Sequence, residues 1–144
     1  MYASIVVGTD GSSSAATAVT HAAMLAAMSG AHLHIATTAP RIPIVASPAA
    51  IVDLSGWGEA SEETVRAALE SATALAEEAG ATSATHALSG DPADALLSLC
   101  EEVDADLLVV GNRGIHGLGR FLLGSVSSRC AHHADRSVLI VQTT

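Results

Sequence analysis

Five short apolar segments alternate with longer helical segments along this chain of 144 residues. The apolar segments, predicted as β-strands, span residues 4–9, 32–38, 82–88, 106–110 and 137–142. Strands that are apolar throughout and alternate with helices are typical of a parallel sheet covered on both faces. The pattern therefore predicts an α/β fold: one doubly wound domain over residues 1–144, with a five-stranded parallel sheet of order 3-2-1-4-5.

The helical segments carry recognisable ends. Helices are predicted over residues 13–29, 60–79 and 124–133, and a further helix is predicted to begin at Asp91-Pro92, with Asp91 as N-cap and Pro92 at the first helical position. Gly30 and Gly80 follow two of them, where a glycine often ends a helix. Residues 39–58 contain three prolines and two glycines, and this composition predicts an irregular loop.

The charge balance limits the classes of partner. The formal net charge is −9 and only 2% of the residues are aromatic. An acidic protein with few aromatic residues is a poor ligand for nucleic acid or for anionic membranes, so neither partner is predicted. The N-terminus enters a strand at once, without a charged leader or a long apolar span, which predicts a cytoplasmic protein. Cys100 and Cys130 are interpreted as reduced core residues.

The turn after the first strand, Gly8-Thr9-Asp10-Gly11-Ser12, lies where doubly wound folds bind ligands. Either Asp10 or Ser12 caps the following helix, or Asp10 accepts hydrogen bonds from a base or ribose while Gly11 allows close approach. A Walker A loop is excluded, because that motif needs a lysine and all six basic residues here are arginine.

The turn after the fourth strand is more specific. It reads Gly111-x2-Gly114-x9-Gly124-Ser125, follows the apolar residues that end at Val110, and leads into a hydroxyl-rich helix start. Glycines and helix-terminal amides suit a phosphate, so this turn predicts a nucleotide site. Four of the six arginines lie between positions 113 and 136, which would place positive charge beside the phosphate. Arg113 and Arg120 either pair with phosphate or are solvated loop residues.

These two turns, together with the terminal apolar strand, make the whole chain resemble a single-domain member of the universal stress protein family, in its nucleotide-binding branch. The resemblance implies an adenine nucleotide, ATP or alternatively cyclic AMP or AMP, bound at the ends of strands one, two and four, and a role as sensor or regulator in the stress response. Thr38 falls where the family often has a valine whose backbone meets adenine. The nucleotide-binding residues expected are Gly8, Thr9, Asp10, Gly11, Ser12, Thr38, Val110, Gly111, Asn112, Arg113, Gly114, Gly117, Gly124, Ser125, Val126 and Ser127.

The resemblance also implies a homodimer formed through the last strand, Ser137 to Gln142. An open apolar edge strand invites pairing, although Arg136 and the terminal threonines offer an alternative way to blunt it. A Mg²⁺ ion that bridges phosphates would have one carboxylate ligand here, that of Asp10. No nucleophile–base pair is evident, so no catalytic residue is predicted and the protein is expected not to be an enzyme; slow ATP hydrolysis is the alternative.

Seven histidines raise the question of a metal site. His32 and His34 alternate along the second strand and so share a face, while His132 and His133 follow Cys130 at the end of the last helix. Because neither pair has a second cluster at zinc-ligand spacing, no metal site is predicted.

Overall fold

A five-stranded parallel sheet forms the centre of the molecule. The computed structural model describes residues 1–39, 48–112 and 123–143, with only the backbone of residues 48–61. The elements in chain order are β1 Ser4–Gly8, α1 Ser13–Ser29, β2 His32–Ala39, α2 Pro48–Ala79, β3 Thr82–Ser89, α3 Pro92–Glu102, β4 Leu107–Gly111, α4 Ser125–His133 and β5 Ser137–Val141. The strand order is β3-β2-β1-β4-β5, and every pairing is parallel, which confirms the predicted topology.

The helices cover both faces of the sheet, as predicted. Alternate residues of β1 point to opposite faces: Ile5 and Val7 enter a core formed with α1 and α2, and Val6 enters a second core formed with α3 and α4. The buried residues of α1 are mostly alanines at helical spacing: Ala15, Ala18, Val19, Ala22, Ala23 and Ala26. Small side chains on this face let α1 pack closely on the sheet, and so a core can form with very few aromatic residues.

The helix ends follow the predicted chemistry. The Ser12 side chain caps α1 by accepting a hydrogen bond from the amide of Ala15, and Gly30 ends the helix with a left-handed φ of 74°. Asp91 caps α3 by accepting from the amide of Asp94, and Pro92 occupies the first turn. Of the two predicted candidates for the α1 cap, Ser12 is therefore the one that caps it.

Helix α2 is longer than predicted. The loop predicted over residues 39–58 is wrong at Ala39, which still belongs to β2, and from Pro48 onward, where a helix of 32 residues begins. Residues 40–47 lie outside the described part. Proline is well tolerated in a first helical turn, and the cost of glycine inside a helix is about 1 kcal/mol each for Gly56 and Gly58. Extending an existing helix costs little free energy, because the unfavourable step is nucleation. The later part of α2 is held against the sheet by the buried Ala68, Ala72 and Ala76.

Arg136 joins three elements at the amino ends of the strands. Its Nη1 donates to the carbonyl oxygens of Cys100 in α3, at 2.9 Å, and of Ala105 just before β4, at 2.6 Å. Its Nε and Nη2 also contact Asp135, and the side chain is only 14% exposed. Arg136 therefore ties the end of α3 to the starts of β4 and β5, on the side of the sheet opposite to the predicted ligand site.

Both cysteines are free and buried, as predicted. Burial raises the pKa of the Cys100 thiol to about 11, and burial likewise raises the pKa of Cys130 to about 11. Because the thiolate is the reactive form, we expect neither thiol of the native protein to react with a disulfide reagent on a time scale of minutes at pH 8, whereas both should react at once in denaturant. A thiol titration with and without guanidinium checks this; rapid modification of the native protein would contradict the burial of these side chains.

Three half-buried histidines lie on the α3/α4 side of β2 and β3. Burial, followed by the charges of His32 and His86, lowers the pKa of His34 below its ordinary 6.5. The unfolded chain therefore takes up this proton at a higher pH than the folded one. The contribution of His34 to the free energy of unfolding is fully present above pH 6.5 and is lost as the pH drops from that value toward the folded pKa.

We therefore expect the midpoint of urea unfolding to decrease on acidification through this range, and the decrease to be smaller in His34→Gln. Replacement of the exposed His21 by Gln is the matched control and should leave the pH profile unchanged. An identical profile for wild type and His34→Gln would show that His34 does not contribute.

In the described ranges, no helix is both long and apolar enough to cross a membrane.

Candidate functional site

A cavity of about 200 Å³ lies at the carboxyl ends of β1, β2 and β4. Strand β1 is hydrogen-bonded to both β2 and β4, so the turns that follow these strands meet at one edge. The cavity is lined by Gly8, Thr9, Asp10, Ala15, Ala36, Thr38, Pro92, Leu96, Val110, Gly111, Gly124, Ser125, Val126 and Ser127. The structure thus brings together the first and second glycine turns, as the sequence predicts for adjacent inner strands.

Three helices begin at this cavity. Ala15 in the first turn of α1, Pro92 in that of α3 and Ser125 in that of α4 all line it. Helix N-termini carry partial positive charge and amides that suit an anion. The side chains of Ser12 and Asp91 cap α1 and α3, but the N-cap of α4 is Gly124, which has no side chain with which to cap. The start of α4 is therefore the helix end whose amides are best placed to donate hydrogen bonds to a ligand.

The first turn is organised by its own side chains. Asp10 Oδ1 accepts a hydrogen bond from the amide of Ser12 at 2.9 Å, and Thr9 Oγ1 accepts from the amide of Gly11 at 3.2 Å. Gly11 has a φ of 83°, and an added Cβ would lie 3.2 Å from the Cβ of Ala68 in α2. The positive φ and the nearby α2 explain why position 11 is a glycine. Gly11 and Ser12 do not line the cavity. Thr9 and Asp10 do line it.

In the second turn, Asn112 ties the end of β4 to its neighbours. Its backbone amide donates to the carbonyl of Val141, and its own carbonyl accepts from the amide of Gly124, both at 2.9 Å. Its side-chain oxygen accepts from the amide and the hydroxyl of Thr143, at 3.0 and 2.8 Å. Asn112 is not among the cavity-lining residues. It holds Gly124, and with it the start of α4, beside Gly111.

Ser127 lies beneath the start of α4 and is only 1% exposed. Its hydroxyl donates to the carbonyl oxygen of Gly124 at 3.1 Å. This bond fixes the first turn of α4 from within. The exposed Ser125 is the hydroxyl of this turn that is open to a ligand.

The arginines depart from the prediction. Arg129 contacts Asp91 and Asp94 at 3.0 Å each and so joins α4 to α3. Arg136 lies at the amino ends of the strands, whereas the cavity is at their carboxyl ends. The predicted gathering of positive charge beside the phosphate is therefore wrong for these two residues, because nearby carboxylates and helix-end carbonyls bind their guanidinium groups. The predicted site residues Arg113, Gly114 and Gly117, and also Arg120, lie outside the described residues.

Four apolar lining residues were missed from the sequence: Ala15, Ala36, Pro92 and Leu96. Two signals were available. Ala36 is two residues before Thr38 and shares its face of β2, and the predicted start of α3 at Pro92 must lie at the carboxyl edge of a parallel sheet. Leu96 also explains Gly8, since a Cβ at that position would lie 2.8 Å from Leu96 Cδ1.

The match to known proteins agrees with this architecture. The family model described as "Universal stress protein family" matches residues 1–142. The chain belongs to the universal stress protein family.

Particular relatives cover the whole chain. It is 38% identical to universal stress protein Rv1636 of Mycobacterium tuberculosis over 146 residues, covering 99% of this chain and 98% of that protein. It is 34% identical to universal stress protein YxiE of Bacillus subtilis, covering 99% and 100%.

Solved structures of the family have the same fold. A universal stress protein in complex with cAMP is 41% identical, with a TM-score of 0.78 and 99% coverage of both chains. The universal stress protein UspA of Lactobacillus plantarum has a TM-score of 0.85 at 24% identity, with 98% coverage of both chains, and shows the fold alone.

Proposed function

We propose that this protein binds an adenine nucleotide in the cavity at the ends of β1, β2 and β4, and acts as a regulator in the stress response. The observation that carries the proposal is the start of α4, where Gly124 leaves the helix without a side-chain cap beside Gly111 and Ser125. A phosphate placed there would accept hydrogen bonds from first-turn amides and face the positive end of the helix dipole.

The remaining lining suits a nucleoside. Ala36, Leu96 and Val110 offer an apolar wall against which an adenine ring can pack. Asp10 lines the same cavity, and its carboxylate can accept hydrogen bonds from ribose hydroxyls or from the exocyclic amine of adenine. Base, sugar and phosphate therefore each meet groups of matching chemistry along one cavity.

The ligand within this class is ATP or cyclic AMP. No basic side chain lines the described part of the cavity, and Asp10 adds a negative charge. This lining favours cyclic AMP over ATP, because cyclic AMP carries only one negative charge, and the 41% identical universal stress protein solved in complex with cAMP supports this choice. Binding of ATP then requires Mg²⁺ at Asp10 or help from Arg113 or Arg120.

Isothermal titration with cyclic AMP, with ATP in the presence and absence of Mg²⁺, and with GTP as control tests this proposal. We expect heat and saturation with an adenine nucleotide and none with GTP. Competition between the two adenine ligands ranks them. Absence of heat with both at millimolar concentration would refute nucleotide binding.

We further propose that the protein binds nucleotide without needing to hydrolyse it. Asp10 is the one ionisable side chain lining the described part of the cavity, and the amide of Ser12 already occupies its Oδ1. We expect phosphate release from ATP to be at background level and unchanged in Asp10→Asn. Release that scales with protein concentration and falls in Asp10→Asn would instead establish an ATPase.

A homodimer through β5 completes the proposal. This strand is at the end of the sheet, and Val138, Leu139 and Ile140 are only partly buried. A second copy of β5 would pair with the outer side of this strand and cover these side chains. Light scattering after size exclusion should give twice the chain mass; a monomer at micromolar concentration would contradict this pairing.

A further inference from the structure

A cluster of three imidazoles lies outside the nucleotide cavity, on the α3/α4 side of β2 and β3. Nδ1 of His34 and Nε2 of His86 are 2.9 Å apart. The ring of His32 meets the ring of His34 edge to face, with centroids 4.7 Å apart. All three side chains are partly accessible to solvent. The strands place them together, since β2 contributes alternate residues and Ala36, two residues beyond His34, is paired with His86.

We propose that His34 and His86 form a binding site for a divalent transition-metal ion of the Cu²⁺ or Ni²⁺ type, chelated by Nδ1 of His34 and Nε2 of His86. Imidazole nitrogen is a preferred ligand of these ions, and two imidazoles held on adjacent strands form a chelate without ordering a flexible segment.

The type of ligand selects the kind of ion. Imidazole nitrogen suits Cu²⁺, Ni²⁺ and Zn²⁺, and for a given set of nitrogen ligands the affinity rises from Ni²⁺ to Cu²⁺ and falls again at Zn²⁺. Two imidazoles with water at the remaining positions also suit the square-planar or tetragonal sites that are typical of Cu²⁺ and Ni²⁺. Zn²⁺ should therefore bind more weakly here than Cu²⁺.

The coordination is completed from outside the protein. In the ranges that the structure covers, no three His, Cys, Asp or Glu side chains converge on one point. An ion bound by His34 and His86 therefore keeps water or an added ligand at its other positions. His32 lies against His34 and fixes its ring rather than donating a third nitrogen.

The tautomers of the two rings allow chelation. The hydrogen bond between the rings places one proton between Nδ1 of His34 and Nε2 of His86. On metal binding this proton moves to the other nitrogen of its own ring, and both facing nitrogens become ligands without a net change in protonation. The two rings rotate so that both lone pairs point to the ion instead of one pointing at the other ring.

Electron paramagnetic resonance of the untagged protein titrated with Cu²⁺ tests the proposal. We expect one tightly bound Cu²⁺ per chain, with hyperfine coupling to two imidazole nitrogens. His34→Gln and His86→Gln should each weaken binding at least tenfold and leave coupling to no more than one imidazole. His32→Gln should retain two coupled nitrogens. Circular dichroism of each variant establishes that it is folded.

The matched control is the double replacement His132→Gln with His133→Gln, which removes the adjacent pair at the end of α4. This variant should bind Cu²⁺ as the wild type does. The proposal is overturned if folded His34→Gln and His86→Gln bind Cu²⁺ as tightly as the wild type, or if the control variant loses the two-nitrogen signal. Because the site is separate from the nucleotide cavity, its failure would leave the nucleotide proposal untouched.

Discussion

Replacement of Gly124 by aspartate should abolish nucleotide binding and leave the protein at least as stable as the wild type. Gly124 has a φ of −63° and a ψ of 164°, an extended conformation that any residue adopts. Aspartate is a favoured N-cap, so its carboxylate would accept hydrogen bonds from the first-turn amides of α4 and stabilise the helix by a few tenths of a kcal/mol. The same carboxylate would occupy the place proposed for the phosphate and repel it. We expect affinity to fall more than about 100-fold.

Gly124→Asn is the matched control for this prediction, since asparagine has nearly the same size and capping ability without the charge. Its affinity should fall about tenfold or less, because a neutral amide blocks space without repelling the phosphate. Calorimetric titration measures both affinities, and thermal unfolding verifies the fold. Equal losses of affinity in the two variants would show that the size of the side chain, not its charge, matters at Gly124. Wild-type affinity in Gly124→Asp would show that the phosphate does not bind at this position.

Replacement of Arg136 by methionine should lower the free energy of unfolding by about 2 kcal/mol, because hydrogen bonds from a charged group to the carbonyls of Cys100 and Ala105 are lost. Methionine keeps much of the side-chain length, so the loss reports the polar contacts rather than a cavity. Nucleotide affinity should stay unchanged, because Arg136 is at the amino ends of the strands and the cavity is at their carboxyl ends.

Arg129→Met is the control that separates a partly buried arginine from an exposed one. Its ion pairs with Asp91 and Asp94 are nearly half exposed, with 47% exposure of the arginine side chain. Pairs of this kind contribute about 1 kcal/mol or less, so urea unfolding of Arg129→Met should show a smaller loss than Arg136→Met. Equal losses, or a larger one for Arg129→Met, would contradict the role assigned to Arg136.

The sequence predicts the sheet well because strand identity depends on short, local patterns. The apolar strands and the caps at Ser12, Gly30 and Asp91 are each encoded within a few residues, and their order restricts the topology. The start of α2 was not predictable in this way. Pro48, Gly56 and Gly58 signal a loop locally, but the helix extends from a segment that the sheet anchors at Ala68 to Ala76.

The position of the cavity could be predicted from the sequence, but the roles of the individual residues around it could not. The glycine turns after β1 and β4 identify the edge, because topology alone places them together. Roles within the turns depend on side-chain directions that sequence does not reveal. Asn112 faces Thr143, and Gly11 is required by its φ and by Ala68. Arg129 was expected near a phosphate and instead binds Asp91 and Asp94 across the α3–α4 contact.

The most direct test of nucleotide binding at the start of α4 is an amide NMR titration of the ¹⁵N-labelled protein with cyclic AMP and with ATP. The amides of Gly111, Ser125 and Val126 should show the largest shifts, with smaller changes at Thr9 and Asp10 and none along the amino ends of the strands. Saturable shifts confined to another surface, or no shifts at the start of α4 at millimolar nucleotide, would contradict the placement of the ligand there.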